Sequence, residues 1–205
     1  MYNFNFLKSD IKSHIEKNKA IYLMLLFCFF VGIILGLVVS ISKTSFLGLL
    51  NVKDKTFINL INGTSSPVAL FWKSLIEFVL PLIIVFLFSL NFYLNCFNFL
   101  FLIYQSMLLF LTSMAVIQSY SFVGFIKVFL ILLPLNLLYF IVLIFWIAVC
   151  TNRAKKAKKR KMIMYGFNYY FITKIYICAG AVLLLSLIVG FVLPIILKTA
   201  IFIVY

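Results

Sequence analysis

From residue 68 to residue 150 the chain is almost continuously apolar, and only Lys73, Glu77 and Lys127 carry charge. No other feature constrains the fold as strongly. A transmembrane helix takes about 20 apolar residues to cross a hydrocarbon core of about 30 Å. The stretch is too long for two crossings and fits three. The turns between them are expected at SLNFYLNCFN (residues 89–98), where Asn91, Asn95 and Asn98 cluster, and at QSYSFVG (residues 118–124).

Composition places the rest of the chain in the same solvent. Hydrophobic residues make up 66% of the 205, with 25 Phe and only 11% charged, and the mean hydropathy is +1.22. Soluble domains run nearer half apolar and a quarter charged. A chain of this size has too much exterior to hide so much apolar surface from water. The expectation is an all-α polytopic bundle, one integral membrane domain over residues 1–205. Its spans are placed at about 20–42, 67–89, 96–117, 123–150 and 173–197, and residues 1–19 form an amphipathic helix before them.

In that N-terminal segment Leu7, Ile11 and Ile15 recur every four residues and form one helical stripe, suited to lying in the headgroup layer. His14, the single histidine, reads as a solvated helix residue. The first apolar run is too long for a signal peptide and has no clean small-residue cleavage site after it. Within the first span Gly32, Gly36 and Ser40 recur every four residues. Such a groove lets another helix backbone approach closely, within the chain or on a partner, and it leaves a homo-oligomer open. Residues 43–66 form a long polar break. Ser66 and Pro67 read as N-cap and first helical position of the second span.

Lys and Arg give a formal net charge of +14, but they sit in two clusters, residues 8–19 and 153–174, with thin scatter elsewhere. In TNRAKKAKKRK (residues 151–161), Arg153, Lys155, Lys156, Lys158, Lys159, Arg160 and Lys161 follow directly on a span, with an aromatic cluster from Tyr165 to Phe171 behind them. The placement reads as a topology signal facing anionic headgroups, and nucleic acid is not the expected partner, because no stacking module accompanies the charge. Five spans put both basic clusters on one side. The positive-inside rule makes that side the cytoplasm of a cell membrane and leaves the C-terminus outside; Lys43, Lys53 and Lys55 in the external loop reduce the bias without reversing it.

Polar groups inside the spans are few. Glu77 is the one carboxylate in any span; it is either a functional intramembrane acid or a partner of Lys73, one helical turn away near the outer face. Pro134 in LLPLN (residues 132–136) is expected mid-span, freeing a backbone carbonyl, with Asn136 as the interhelical partner. The four cysteines, Cys28, Cys96, Cys150 and Cys178, lie far apart with no CxxC and read as reduced thiols. No nucleophile stands beside a base, no metal-ligand set is spaced for coordination and no phosphate-binding glycine loop occurs. The reading is of a protein that is not an enzyme and takes no cofactor or metal.

HIEKNKAIYLMLLFCFFVGIILG (residues 14–36), a charged segment running through an Asn into a span with a GxxxG, resembles the opening of the stage II sporulation protein M family. GFIKVFLILLPLN (residues 124–136) resembles the later family stretch in which a Gly leads into a span carrying Leu-Pro and then Asn. Length, span number and a basic loop before the last span agree along the chain. The middle departs from the pattern, with Phe, Leu and Asn where glycines are common. The resemblance implies a non-enzymatic scaffold in endospore engulfment, one that anchors SpoIID-like and SpoIIP-like peptidoglycan-remodelling proteins at the septum. The competing class is the membrane subunit of an ABC-type or other transporter, with residues 151–172 as the segment that couples to an ATPase.

Overall fold

The computed structural model describes residues 4–42, 66–127, 133–159 and 169–195. Among these every element is helical. We label the helices α1 (Phe4–Lys17), α2 (Lys19–Ser42), α3 (Pro67–Ser89), α4 (Phe97–Lys127), α5 (Leu133–Lys159) and α6 (Tyr169–Leu187), with a 3-10 turn at Leu94–Cys96 and a π-helical segment at Ile188–Val192. Among the described residues five segments are long and apolar enough to cross a bilayer: Lys19–Ile41, Pro67–Ser89, Leu94–Ala115, Leu133–Lys156 and Phe171–Ile195. The protein is an all-α polytopic membrane bundle.

Contacts fix the directions. Gly32 faces Ile103 and Ser106 while Gly36 faces Met107 and Phe110, so α2 and α4 run parallel. Phe78 stacks on Tyr139 at 4.8 Å, and one to two turns on the indole of Trp146 reaches the Leu82 carbonyl, so α3 and α5 are parallel too. Phe71 meets Phe191 and Phe86 meets Phe171, which sets α6 antiparallel to α3. Helix α5 is the centre. Residues 146–151 are buried in succession, which on a helix means cover on every side.

Helix ends follow local chemistry. The Ser66 side chain accepts from the Ala69 amide at 3.3 Å, with Pro67 in the first turn, as capping preferences dictate. Pro81 lies inside α3 and has no N–H to offer the Glu77 carbonyl one turn back. Near the end of the last span, the Leu193 amide donates to the carbonyl of Ile188, five residues earlier. Pro194 follows; it lacks an amide and crowds the preceding turn, and a wider π turn accommodates that.

Three expectations change. The turn expected at residues 118–124 is helical, because α4 runs on to Lys127. Ser and Gln do not end a helix when hydroxyls can bond carbonyls of their own helix, as Thr112 does to Leu108 and Ser113 to Leu109, each at 2.8 Å. At 31 residues α4 is about 46 Å long, more than a hydrocarbon core of about 30 Å needs. The span placed at 123–150 therefore becomes Leu133–Lys156. Pro134 is accordingly the second residue of α5 and exposed. Residue 130, whose carbonyl Pro134 would leave free, lies outside the described residues, and the expected kink falls there with it. The basic run, expected as a loop, continues α5 as helix through Lys159.

Candidate functional site

Polar side chains concentrate at one end of the bundle, the end from which the basic run emerges. The connection from α3 to α4 starts with an Asx turn, in which Asn91 Oδ1 accepts from the Tyr93 amide at 2.9 Å. The 3-10 turn then directs Asn95 inward. Asn95 Oδ1 accepts from Asn98 Nδ2 at 3.1 Å and from the Thr151 hydroxyl of α5 at 3.3 Å. All three side chains are buried, so the bonds tie the first turn of α4 to the central helix where water does not compete. Asn98 Oδ1 is buried with no hydrogen-bond partner among the described residues.

Around this triad lie Ser89, which closes its own turn on Phe86 at 2.7 Å, and Cys150, which stands beside Ser89, Cys178 and Arg153. The Arg153 guanidinium sits 4.6 Å from the centre of the Phe171 ring and 5.3 Å from that of Phe86, within the range where a cation is attracted to an aromatic face. Lys174 of α6 is fully buried, its Nζ 6.0 Å from the Phe145 ring centre.

His14 belongs to the same end. The expectation of a solvated histidine is overturned, since the residue is only 2% exposed. Its Nδ1 and the Tyr22 hydroxyl share a hydrogen bond at 3.1 Å, and its ring packs edge-on to Phe145 of α5 at 5.7 Å. The elbow between α1 and α2 arranges this. Asn18 interrupts the helix and donates from Nδ2 to the His14 carbonyl at 2.8 Å. Of the N-terminal stripe, Ile11 is half-buried and Ile15 exposed, while the Leu7 side chain lies outside the described residues.

The other sequence candidates are dispersed. Gly32 and Gly36 are buried where α2 crosses α4. A methyl at Gly32 would collide with the Ser106 hydroxyl and the Ile103 carbonyl, and one at Gly36 would lie 3.0 Å from both the Met107 carbonyl oxygen and Phe110 Cβ. Ser40 instead closes its own turn, donating to the Leu37 carbonyl at 2.8 Å. Lys73 and Glu77 are half-buried one turn apart on the half of α3 far from the basic end, and Asn136 is half-buried in the first turn of α5. Lys155 and Lys156 are exposed and Arg153 half-buried. The side chains of Lys158 and Lys159, and all of Arg160 and Lys161, lie outside the described residues. The sequence reading missed Gly190, where a methyl would lie 2.7 Å from Phe71 Cβ; its small size was the available signal.

In chemical terms the arrangement holds helices together. Its hydroxyls and amides bond to one another or to their own helices, and its two interior cations lie against aromatic rings. The four cysteines are free thiols. Among the described residues no group of three or more His, Cys, Asp or Glu is placed to hold a metal ion. No protein-family model, no curated protein and no solved structure matches the chain.

Proposed function

We propose that this protein is a non-enzymatic membrane scaffold that anchors other proteins at the bilayer. One observation carries the reading. Six of the polar groups inside the bundle, Asn95, Asn98, Thr151, Ser89, Ser106 and Ser186, are buried, and the bonds they make are structural: Asn95 joins Asn98 and Thr151, and each serine closes on a carbonyl of its own helix. A carrier needs such groups turned toward a cargo path, whereas an anchor needs them to fix helix positions. Close glycine packing between α2 and α4 favours the same rigid role.

The whole-chain resemblance to the stage II sporulation protein M family supplies the partners and the place. The scaffold would hold SpoIID-like and SpoIIP-like peptidoglycan-remodelling proteins at the septum of an endospore-forming cell, with the N-terminus in the cytoplasm. Deletion of the gene is expected to block septal wall thinning and engulfment, and the tagged protein is expected to co-purify with wall hydrolases. Recovery of an ATP-binding cassette subunit with no wall hydrolase would overturn the reading. That outcome belongs to the transporter alternative, whose one favourable observation is the continuation of α5 beyond the apolar window as a basic helical stem.

A further inference from the structure

The basic end has a charge imbalance that the chain cannot correct by itself. Seven cations, Arg153, Lys155, Lys156, Lys158, Lys159, Arg160 and Lys161, follow one another within nine positions, while the entire sequence holds four acidic residues. Even if every carboxylate were brought here, cations would remain in excess. At the mouth of a membrane bundle the abundant counter-charge is the lipid headgroup.

One of the seven differs from the rest. Lys155 and Lys156 are exposed, but Arg153 is half-buried, with its guanidinium against the stacked pair of Phe171 of α6 and Phe86 of α3. Three helices thus fix its position. It stands in the last turn of the apolar window Leu133–Lys156, the depth at which a phosphodiester meets acyl chains. A guanidinium fork pairs with two phosphate oxygens at once, and a pre-positioned fork loses less freedom in doing so than a mobile lysine. Lys156 follows three positions later on the same helical face.

We propose that the α3–α5–α6 junction at the basic end binds the phosphate of an anionic phospholipid, with Arg153 as principal ligand and Lys156 as the second. The site requires only that the basic end lie at a headgroup layer, and it stands whether or not the protein is a scaffold. An acidic segment of a partner protein is the competing occupant. Membrane depth and the two adjacent rings favour the lipid.

Native mass spectrometry of the full-length protein in detergent tests this, with phosphatidylglycerol or phosphatidylcholine of matched acyl chains as probes. The wild type is expected to retain phosphatidylglycerol preferentially. Arg153→Gln should reduce that retention about tenfold, the scale of one hydrogen-bonded charge contact. Arg153→Lys should lose part of it, and Lys155→Gln little. Equal retention of both lipids by the wild type, or unchanged retention by Arg153→Gln, overturns the proposal. So does an Arg153 requirement for binding poly-glutamate or inorganic phosphate with none for phosphatidylglycerol. Should Arg153→Gln not fold, Arg153→Lys carries the test, and wild-type retention by that variant is then the overturning result.

Discussion

The indole N–H of Trp146 donates to the backbone carbonyl of Leu82 at 2.9 Å, joining the centre of α5 to the turn of α3 that begins at Pro81. Both side chains are buried. The bond therefore lies one turn beyond the Glu77 carbonyl that Pro81 leaves without its helical donor. Trp146→Phe keeps an aromatic ring but removes the donor. It is expected to cost about 1 kcal/mol, the usual net worth of such a bond in a membrane protein. The midpoint of unfolding in a mixed-detergent titration measures it. A midpoint equal to wild type would mean that the bond adds nothing net.

The glycines offer an internal comparison. Gly32→Ala must push α2 and α4 apart, because backbone as well as side chain blocks the new methyl; overpacking of that kind costs about 1–3 kcal/mol. Gly36→Ala meets atoms at 3.0 Å and should cost less. Gly180→Ala has nothing within 4 Å of the added carbon and should be neutral within about 0.5 kcal/mol. The same unfolding titration ranks the three. If Gly180→Ala proves as damaging as Gly32→Ala, loss of glycine in general is responsible, and helix contact is not.

How far the sequence carries depends on whether a feature is set locally or by neighbours. The spans were legible because bilayer thickness demands long apolar runs, and the Ser66-Pro67 start was legible because capping is local. The turn expected at 118–124 failed because polar residue types alone do not end a helix, and α4 runs on through them to Lys127. His14 was misread because Phe145, far along the chain, buries it. Asn95 and Asn98 were recognised as turn residues, but their joint bond to Thr151 depends on α5 lying alongside.

His14 yields a prediction about α1. Its contacts with Tyr22 and Phe145 fasten α1 to the bundle, and local elements held by few contacts open independently of the whole. His14→Ala should raise amide hydrogen exchange in α1 by about tenfold, the equivalent of one lost hydrogen bond, and leave α3 through α6 unchanged. Exchange followed by mass spectrometry in detergent reads both. Uniform acceleration across the bundle would instead make His14 a core residue of the whole fold.

Topology can be tested independently of function. Parallel α2 and α4, parallel α3 and α5, α6 opposed to α3, and the reversed order of the His14–Phe145 and Phe29–Phe140 contacts together describe alternating crossings. The positive-inside rule predicts that the basic end faces the cytoplasm. Reporter fusions at residues 55, 130, 160 and the C-terminus are expected to read outside, outside, inside, outside. Position 130 is the informative choice, because α4 continues as helix to Lys127. A cytoplasmic C-terminus would remove the five-crossing arrangement.

Glu77 separates the two functional readings. It is half-buried on α3, one turn from Lys73, and its backbone carbonyl faces the position where Pro81 has no amide to give. A transporter would use an intramembrane carboxylate of this kind for coupling, and Glu77→Gln would abolish transport while leaving folding intact. A scaffold has no such need. Expected near the outer face, Glu77 is instead the eleventh of the 23 residues of α3, at mid-span, and Gln there keeps the side chain's shape while removing its charge. Under the scaffold reading Glu77→Gln should complement a deletion strain fully in septal wall thinning, and Gly32→Leu, which separates α2 from α4, should fail. Loss of function in Glu77→Gln with normal protein level and an unchanged unfolding midpoint would decide for the transporter.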